Sequence, residues 1–255
     1  MRTSIFGLMA APIAILVSAP AYAQDADIQE PGESSISVSA NVALTSDYRF
    51  RGISFSDGDF AVQGGIDIAH DSGLYVGTWA SSIEDSPTFG HTELDLYGGW
   101  SGEISSGINA DIGLLYYVYP NGEGGAAGPS DYFEPYASIS GTLGPAELKL
   151  GAAYAFDGQS ALGNEDNLYV YTDLGIGVPN TPITLNAHLG YTDGILSPDI
   201  DPVTLRQSGA FDYSFGADYA ITSNLTASAT FVGVEGPSVD GISDDTVVFT
   251  ISASF

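Results

Sequence analysis

The sequence predicts an all-β protein that folds as a single closed antiparallel transmembrane β-barrel of about 12 strands. Apolar residues alternate with polar ones through most of the chain, and long connections between strands alternate with short ones. The final run, residues 246–255, ends on an aromatic residue and places five apolar side chains on one face: Val247, Phe249, Ile251, Ala253 and Phe255. Such a run is typical of the strand that closes a bacterial outer-membrane barrel.

The amino terminus predicts export. Arg2 precedes a short apolar stretch at 5–17, and Ala21-Tyr22-Ala23 has the spacing of a secretory cleavage site before Gln24. The apolar stretch is too short for a transmembrane helix, which needs about 20 residues. We therefore predict a cleaved signal peptide at 1–23, a flexible lead-in at 24–35, and a barrel at 36–255 in the bacterial outer membrane.

The strands follow from the alternation of side chains. In the first strand, apolar residues from Ile36 to Leu44 alternate with small or polar ones, and Phe60 to Ile68 repeat the pattern. Apolar residues occupy both faces of 74–82, so the register of that strand is the least defined. The predicted strands cover 36–44, 60–68, 74–82, 94–100, 108–118, 133–139, 146–156, 168–176, 183–191, 211–219, 225–231 and 247–255.

The connections divide into two sets, as expected of a barrel with short periplasmic turns and longer extracellular loops. The predicted loops cover 52–59, 84–90, 120–131, 157–166, 193–208 and 235–244. The predicted turns cover 71–73, 101–107, 141–145, 178–182 and 222–224. Both chain ends then fall on the side of the short turns.

The two faces of the strands differ in chemistry. A charged side chain facing lipid costs about 2–4 kcal/mol near the midplane when it is arginine or lysine, so we assign the charged face to the lumen. Glu147 and Tyr132 fall on this inner face, and Tyr116, Tyr154 and Tyr191 fall on the lipid face near the loops, where aromatic girdles lie. The predicted pore-lining residues are Asp47, Arg49, Arg51, Asp67, Glu93, Asp95, Tyr97, Asp111, Tyr117, Tyr119, Glu134, Tyr136, Lys149, Tyr169, Tyr171, Asp173, Asp212 and Asp218.

Composition excludes several classes of protein. The chain carries 32 acidic against 5 basic residues, a formal net charge of −27, which argues against nucleic-acid binding. It contains no cysteine, which excludes disulfides, thiolate metal ligands and cysteine nucleophiles. Adaptation to salty surroundings would produce the same acidity, so charge balance alone does not establish selectivity for cations. We predict no cofactor and no metal site.

The segment 45–54, Thr-Ser-Asp-Tyr-Arg-Phe-Arg-Gly-Ile-Ser, resembles the TorF family of porin-like proteins from Proteobacteria. The segments 63–67, 77–81, 93–99, 117–120 and 131–134 add to the resemblance, which spans the predicted mature chain. Phe55 and Asn121 depart from the family pattern, and both fall in predicted external loops. The resemblance implies a barrel and a pore more firmly than it implies a substrate.

Arg49 and Arg51 allow two interpretations, because both are predicted on the inward face near the top of the first strand. They could set up a transverse field across a constriction, opposite Asp67, Glu93 and Asp95. They could equally belong to an internal ion-pair network that fills the lumen. The inward tyrosines likewise could form a stacking track for solutes or simply pack the lumen.

An outer-membrane enzyme is the rival class. It would need a serine paired with histidine at the lipid-facing rim, or a histidine with carboxylates around a metal. His188 is predicted to face inward with Thr184 and Asn186, His91 lies at a loop edge and His70 lies beside a turn. No serine is placed against them, so we predict no catalytic residues and no enzyme.

The sequence thus predicts an outer-membrane porin for passive diffusion of small hydrophilic solutes, favouring cations or zwitterions. The alternatives are a closed barrel with a ligand-binding or structural role in the envelope and, less favoured, a lipid hydrolase. The expected partners are outer-membrane lipid and lipopolysaccharide, the small solutes themselves, and the barrel-assembly machinery through the strand ending at Phe255.

Overall fold

The computed structural model describes residues 35–125, 128–199 and 209–255. The predicted signal peptide and nearly all of the predicted lead-in lie outside the described residues. In the described ranges, no helix is both long enough and apolar enough to cross a membrane.

Twelve long strands form one closed antiparallel barrel, which confirms the predicted fold class. Each barrel strand pairs with its neighbours in the chain, and the first strand closes the barrel on the last through pairs such as Leu44 with Ile251. The barrel strands are β1 (Ile36–Thr45), β4 (Ala61–His70), β5 (Leu74–Ser86), β6 (Gly90–Ser105), β7 (Ile108–Val118), β8 (Tyr132–Leu143), β9 (Ala146–Ala155), β10 (Asn167–Gly177), β11 (Ile183–Gly194), β12 (Ala210–Ala220), β13 (Leu225–Val234) and β14 (Thr246–Ser254). Two short strands, β2 (Arg49–Phe50) and β3 (Ile53–Ser54), form a separate hairpin.

The outer face of the barrel is an apolar belt. Large apolar side chains on β1, β4, β12 and β14 point outward, and Val62, Phe215 and Phe249 are each 60% exposed. On β5, Leu74 and Val76 point outward and Trp79 is buried in the lumen, which defines the register that the sequence left open. A belt of this kind matches the surface that a barrel presents to lipid tails.

Most predicted loops and turns are observed at the expected places, but the predicted turn at 101–107 is too long, because β6 continues to Ser105 and leaves a turn of two residues at 106–107. The long connections lie at 46–60, 119–131, 156–166, 195–209 and 235–245, and the last carries several acidic residues. The predicted loop at 84–90 is wrong, because β5 continues to Ser86 and β6 begins at Gly90, leaving a tight turn at 87–89. A register shift beyond Ser82 lets Ser86 pair with Gly90, whose φ of +69° makes the turn.

The connection 46–60, which we call the inturned loop, folds into the barrel through residues 46–56 instead of projecting from it, whereas residues 57–60 are exposed. The prediction that Arg49 and Arg51 lie on the first strand is therefore wrong, because β1 ends at Thr45 and both arginines belong to the β2–β3 hairpin. The hairpin turns at Arg51 and Gly52, with φ of 49° and 81°, the signs that a two-residue type I′ turn requires. A Cβ on Gly52 would lie 2.6 Å from the Cβ of Val234, so glycine is needed for space as well.

Inward glycines and tyrosines fit together across neighbouring strands. Gly77 lies beneath the ring of Tyr97, and Gly151 lies beneath the ring of Tyr171, where an added Cβ would clash. Each ring therefore packs flat against the neighbouring strand instead of projecting to the barrel axis. This arrangement lets the lumen hold many tyrosines beside the inturned loop.

Candidate functional site

The inturned loop divides the lumen into two unlike halves. One half is lined by the inner faces of β5 to β10, which carry most of the inward aromatic residues, and we call it the tyrosine wall: Tyr75, Trp79, Tyr97, Tyr117, Tyr132, Tyr136, Tyr169 and Tyr171. The other half is lined by β1, β4 and the inner faces of β11 to β14, where small polar side chains predominate beside Val232 and Val248. We call its polar residues on β11 to β14 the hydroxyl wall: Asn186, Ser214, Asp218, Ser228, Thr230 and Thr250.

Arg51 fixes the tip of the inturned loop to the tyrosine wall. Its Nη2 donates to both carboxylate oxygens of Glu134, at 2.8 and 2.7 Å. Its guanidinium lies 4.1 Å from the ring centroid of Tyr169 and 4.8 Å from that of Phe50. Burial by itself would lower the pKa of Arg51, but the Glu134 carboxylate outweighs it and raises the pKa above its ordinary value. The arginine therefore stays charged inside the barrel.

Tyr48 provides a second attachment to the same wall. Its hydroxyl donates to Glu93 Oε1 at 2.7 Å, and its ring meets Trp79 edge to face at 5.5 Å. Burial raises the pKa of Tyr48 well above its usual value, and the Glu93 carboxylate adds to the effect. Phe55, predicted to lie in an external loop, instead packs on the Tyr48 ring at 5.6 Å. That departure from the TorF pattern therefore lies in the lumen.

Arg49 faces the opposite direction, toward the last long connection. It forms ion pairs with Asp47 and with Asp244, the latter at 3.3 Å. Its Nη1 also donates to the carbonyl oxygens of Ile242 and Asp244, each at 3.0 Å. The two arginines thus hold the loop to opposite sides of the barrel, and neither stands on a barrel strand facing the carboxylates of another wall.

The tyrosine wall is densely hydrogen-bonded. The rings of Tyr117 and Tyr132 stack at 4.4 Å, and those of Tyr169 and Tyr171 stack at 5.5 Å. Most hydroxyls donate to carboxylates: Tyr97 to Asp67 at 2.6 Å, Tyr75 to Asp111 at 2.6 Å, Tyr117 to Glu134 at 3.1 Å, Tyr119 to Glu93 at 3.2 Å and Tyr169 to Asp212 at 3.1 Å, while Tyr136 bonds Tyr75. The predicted inward tyrosines therefore form a connected layer that spans several strands.

His188 lies inward, as its position in the alternation predicts. Its Nδ1 bonds Asp173 at 2.5 Å, and its Nε2 lies 3.0 Å from Asp212 and 2.8 Å from the Tyr169 hydroxyl. Both ring nitrogens are thus engaged by carboxylates and a phenol. Lys149 lies 5.7 Å from the centroid of the Tyr171 ring. Among the described residues, no group of three or more histidine, aspartate or glutamate side chains is arranged to hold a metal ion.

Two cavities lie on the side of the hydroxyl wall. The inner one, of about 60 Å³, runs between the inturned loop and the hydroxyl wall. The outer one, of about 580 Å³, lies at the rim of the barrel between the acidic loop residues Asp57, Asp240 and Asp244 and the outward-facing Val247 and Phe249 of β14. Asp47 and Arg49 line both cavities, so their ion pair lies where the two cavities meet. The tyrosine wall is packed by rings, whereas the hydroxyl wall borders open space.

The predicted pore-lining residues carry side chains that turn inward from the barrel strands or from the inturned loop, except that Tyr119 lies just beyond the end of β7, where it is buried. Sequence reasoning missed Tyr48, Phe50, Tyr75 and Trp79, which fill the tyrosine half. Glycines at alternate positions opposite tyrosines were the available signal for dense packing. In the hydroxyl wall, Asp218 and Asn186 were predicted to face inward, but the serines and threonines were not, because small hydroxyl side chains that alternate inward on β13 and β14 give a weak signal beside charges and rings.

Comparison with known proteins supports the fold. Residues 29–255 match a bacterial family, Gcw_chp, described as proteins of unknown function. The sequence matches no curated protein. The solved NanC porin superposes with a TM-score of 0.55 at 10% identity, covering 86% of this chain and 99% of that chain. The KdgM porin gives 0.55 at 9% identity, covering 85% and 98%. At these identities the likeness establishes the barrel fold alone.

Proposed function

The chain belongs to the Gcw_chp family of bacterial proteins, and we propose that it is an outer-membrane channel for passive diffusion of small hydrophilic solutes, favouring cations or zwitterions. The observation that carries the proposal is the polar, acidic lumen inside a closed barrel with an apolar outer belt. A water-filled path tolerates such a lining, whereas the belt fits a bilayer. The NanC and KdgM porins, which share the fold, are named as porins.

The preference for cations rests on the charges of the lumen. Asp67, Glu93, Asp95, Asp111 and Asp218 point inward from the strands, while Arg49 and Arg51 are engaged in ion pairs. A field of one sign raises the local concentration of the opposite charge, so cations should be enriched in such a pore.

The inturned loop favours the second candidate, a closed barrel with a ligand-binding or structural role in the envelope. Its attachment at Glu93, Glu134 and Asp244 leaves a narrow inner cavity, so large solutes are excluded in the observed state. Outer-membrane lipid, lipopolysaccharide and the barrel-assembly machinery, acting on the strand that ends at Phe255, are the partners we propose. Membership of the TorF family stays a prediction from the motif at 45–54.

Solute flux through vesicles tests the proposal. Vesicles that contain the folded protein and potassium salt are placed in sodium salt, and a potassium electrode follows the exchange. We expect rapid potassium efflux in sodium salt and swelling of the vesicles in isotonic glycine. We expect no swelling in isotonic raffinose, because raffinose is too large for the lumen. Vesicles without protein are the control. Folded, heat-modifiable protein that passes neither potassium nor glycine would favour the closed barrel.

A further inference from the structure

We infer that cations cross this barrel along the hydroxyl wall only, passing the Asp47–Arg49 ion pair, and that Asp218 is the carboxylate that selects them. This inference rests on the proposed function and assigns the route and the selecting residue within it.

The route begins in the outer cavity. This space of about 580 Å³ lies at the rim of the barrel, and Asp57 and Asp240 on its loop side favour cations there. Its other side is lined by Val247 and Phe249, which belong to the outer belt on β14. Asp47 and Arg49, whose side chains are about 5% exposed, also line this space. The same two residues line the inner cavity, so a solute passing from one space to the other passes this ion pair.

The inner cavity follows a row of paired residues down the barrel. Thr45 at the loop end of β1 pairs with Thr250, Thr250 pairs with Ser228, and Ser228 pairs with Asp218. Asp218 lies near the end of β12, close to the short turn at 221–224. Because strands in a barrel tilt, this row descends from the loop side toward the turn side. Residues from the loop end of β1 to the turn end of β12 therefore line this narrow cavity.

The lining of this row suits a partly dehydrated cation. Thr250 donates its hydroxyl hydrogen to Thr45 at 2.9 Å, and Asn186 donates to Asp218 Oδ2 at 2.7 Å. Hydroxyl oxygens and one carboxylate can replace waters of an ion's shell, and a cavity of about 60 Å³ holds about two waters. On the tyrosine wall, by contrast, Tyr117, Tyr132 and Tyr169 are at most 6% exposed.

Single cysteines test the route, because the chain contains no cysteine of its own. Ser228→Cys places a thiol on the hydroxyl wall, and Ala153→Cys places one on the inner face of β9 within the tyrosine wall. Silver ion in nitrate salt is the probe, since it is a small monovalent cation that binds thiols. Single-channel current is recorded before and after its addition, with the cysteine-free protein as the reagent control.

We expect silver to reduce the current of Ser228→Cys several-fold and to leave Ala153→Cys and the cysteine-free protein unchanged. Equal loss at both positions, or loss at Ala153→Cys alone, would overturn the assignment of the route. A conducting Ser228→Cys channel that silver does not affect would overturn it as well. Absence of current in every folded variant, including the cysteine-free protein, would instead overturn the proposed function.

Charge substitution tests the selecting residue. Asp218→Asn should move the reversal potential in a salt gradient toward zero. Glu103→Gln, at the same end of the barrel on β6, should move it less, because β6 belongs to the tyrosine wall. Equal shifts in the two variants, or no shift in Asp218→Asn, would overturn the role of Asp218.

Discussion

The attachment of the inturned loop at Arg51 and Glu134 gives the sharpest prediction. Replacing Arg51 by Met leaves the Glu134 carboxylate buried, with the Tyr117 hydroxyl as a remaining donor at 3.1 Å. Removing one partner of a buried ion pair costs about 3–5 kcal/mol, so we expect a loss of that size in the free energy of unfolding. The lost contact with the Tyr169 ring adds about 0.5–2 kcal/mol.

A double-mutant cycle separates the pair from its surroundings. Glu134→Gln and the double variant complete the cycle, and urea unfolding in lipid vesicles measures each free energy. Because the double variant leaves neither charge buried alone, it should lose less than the sum of the two single variants. The chain contains two tryptophans, and one of them, Trp79, contacts Tyr48 of the inturned loop. The fluorescence of Trp79 therefore reports on the position of that loop.

In a Trp100→Phe background, we expect Trp79 emission to shift to the red in Arg51→Met, because the loosened loop admits water to the lumen. Single-channel conductance should rise in parallel. A change in unfolding free energy below about 1 kcal/mol, together with unchanged Trp79 emission, would show that this pair does not hold the loop and would refute the reasoning.

Three further predictions concern the lumen and the belt. Arg49→Gln removes the ion pair between the two cavities and should increase single-channel conductance; an unchanged conductance would contradict the position of that pair. Gly151→Ala should cost about 1–3 kcal/mol in unfolding free energy, because its Cβ clashes with the Tyr171 ring, whereas Gly177→Ala on β10 has open space and should cost far less; equal costs would contradict the packing. Phe215→Lys on the outer belt should cost about 2–4 kcal/mol in lipid, and a neutral result in the same unfolding measurement would argue against lipid contact at that position.

The barrel itself could be predicted from the sequence because two-residue alternation reports which face of each strand meets lipid. The inward charges followed from the same pattern, since a lipid-facing charge is costly. The register of 74–82 could not be read, because Val76 and Trp79 are both apolar although one faces outward and the other faces the lumen. Tryptophan and tyrosine count as hydrophobic residues, so a lumen face that they line cannot be told from a lipid-facing one by hydrophobic alternation.

The inturned loop could not be predicted, because its position depends on contacts between residues far apart in the chain. Arg51 and Glu134 are 83 residues apart, and Arg49 and Asp244 are 195 apart. The local periodicity of side chains contains no information about these distant contacts, so it predicts both arginines on a continuation of the first strand. The signal that was present is Gly52, which suits the second central position of a type I′ turn and marks the end of a strand instead of its continuation.

The current through single molecules in a planar bilayer under a salt gradient tests the central claim most directly. Folded, heat-modifiable protein should give discrete current steps whose reversal potential has the sign of a cation-selective pore. A folded barrel that gives no current, or a reversal potential with the sign of an anion-selective pore, would contradict the account.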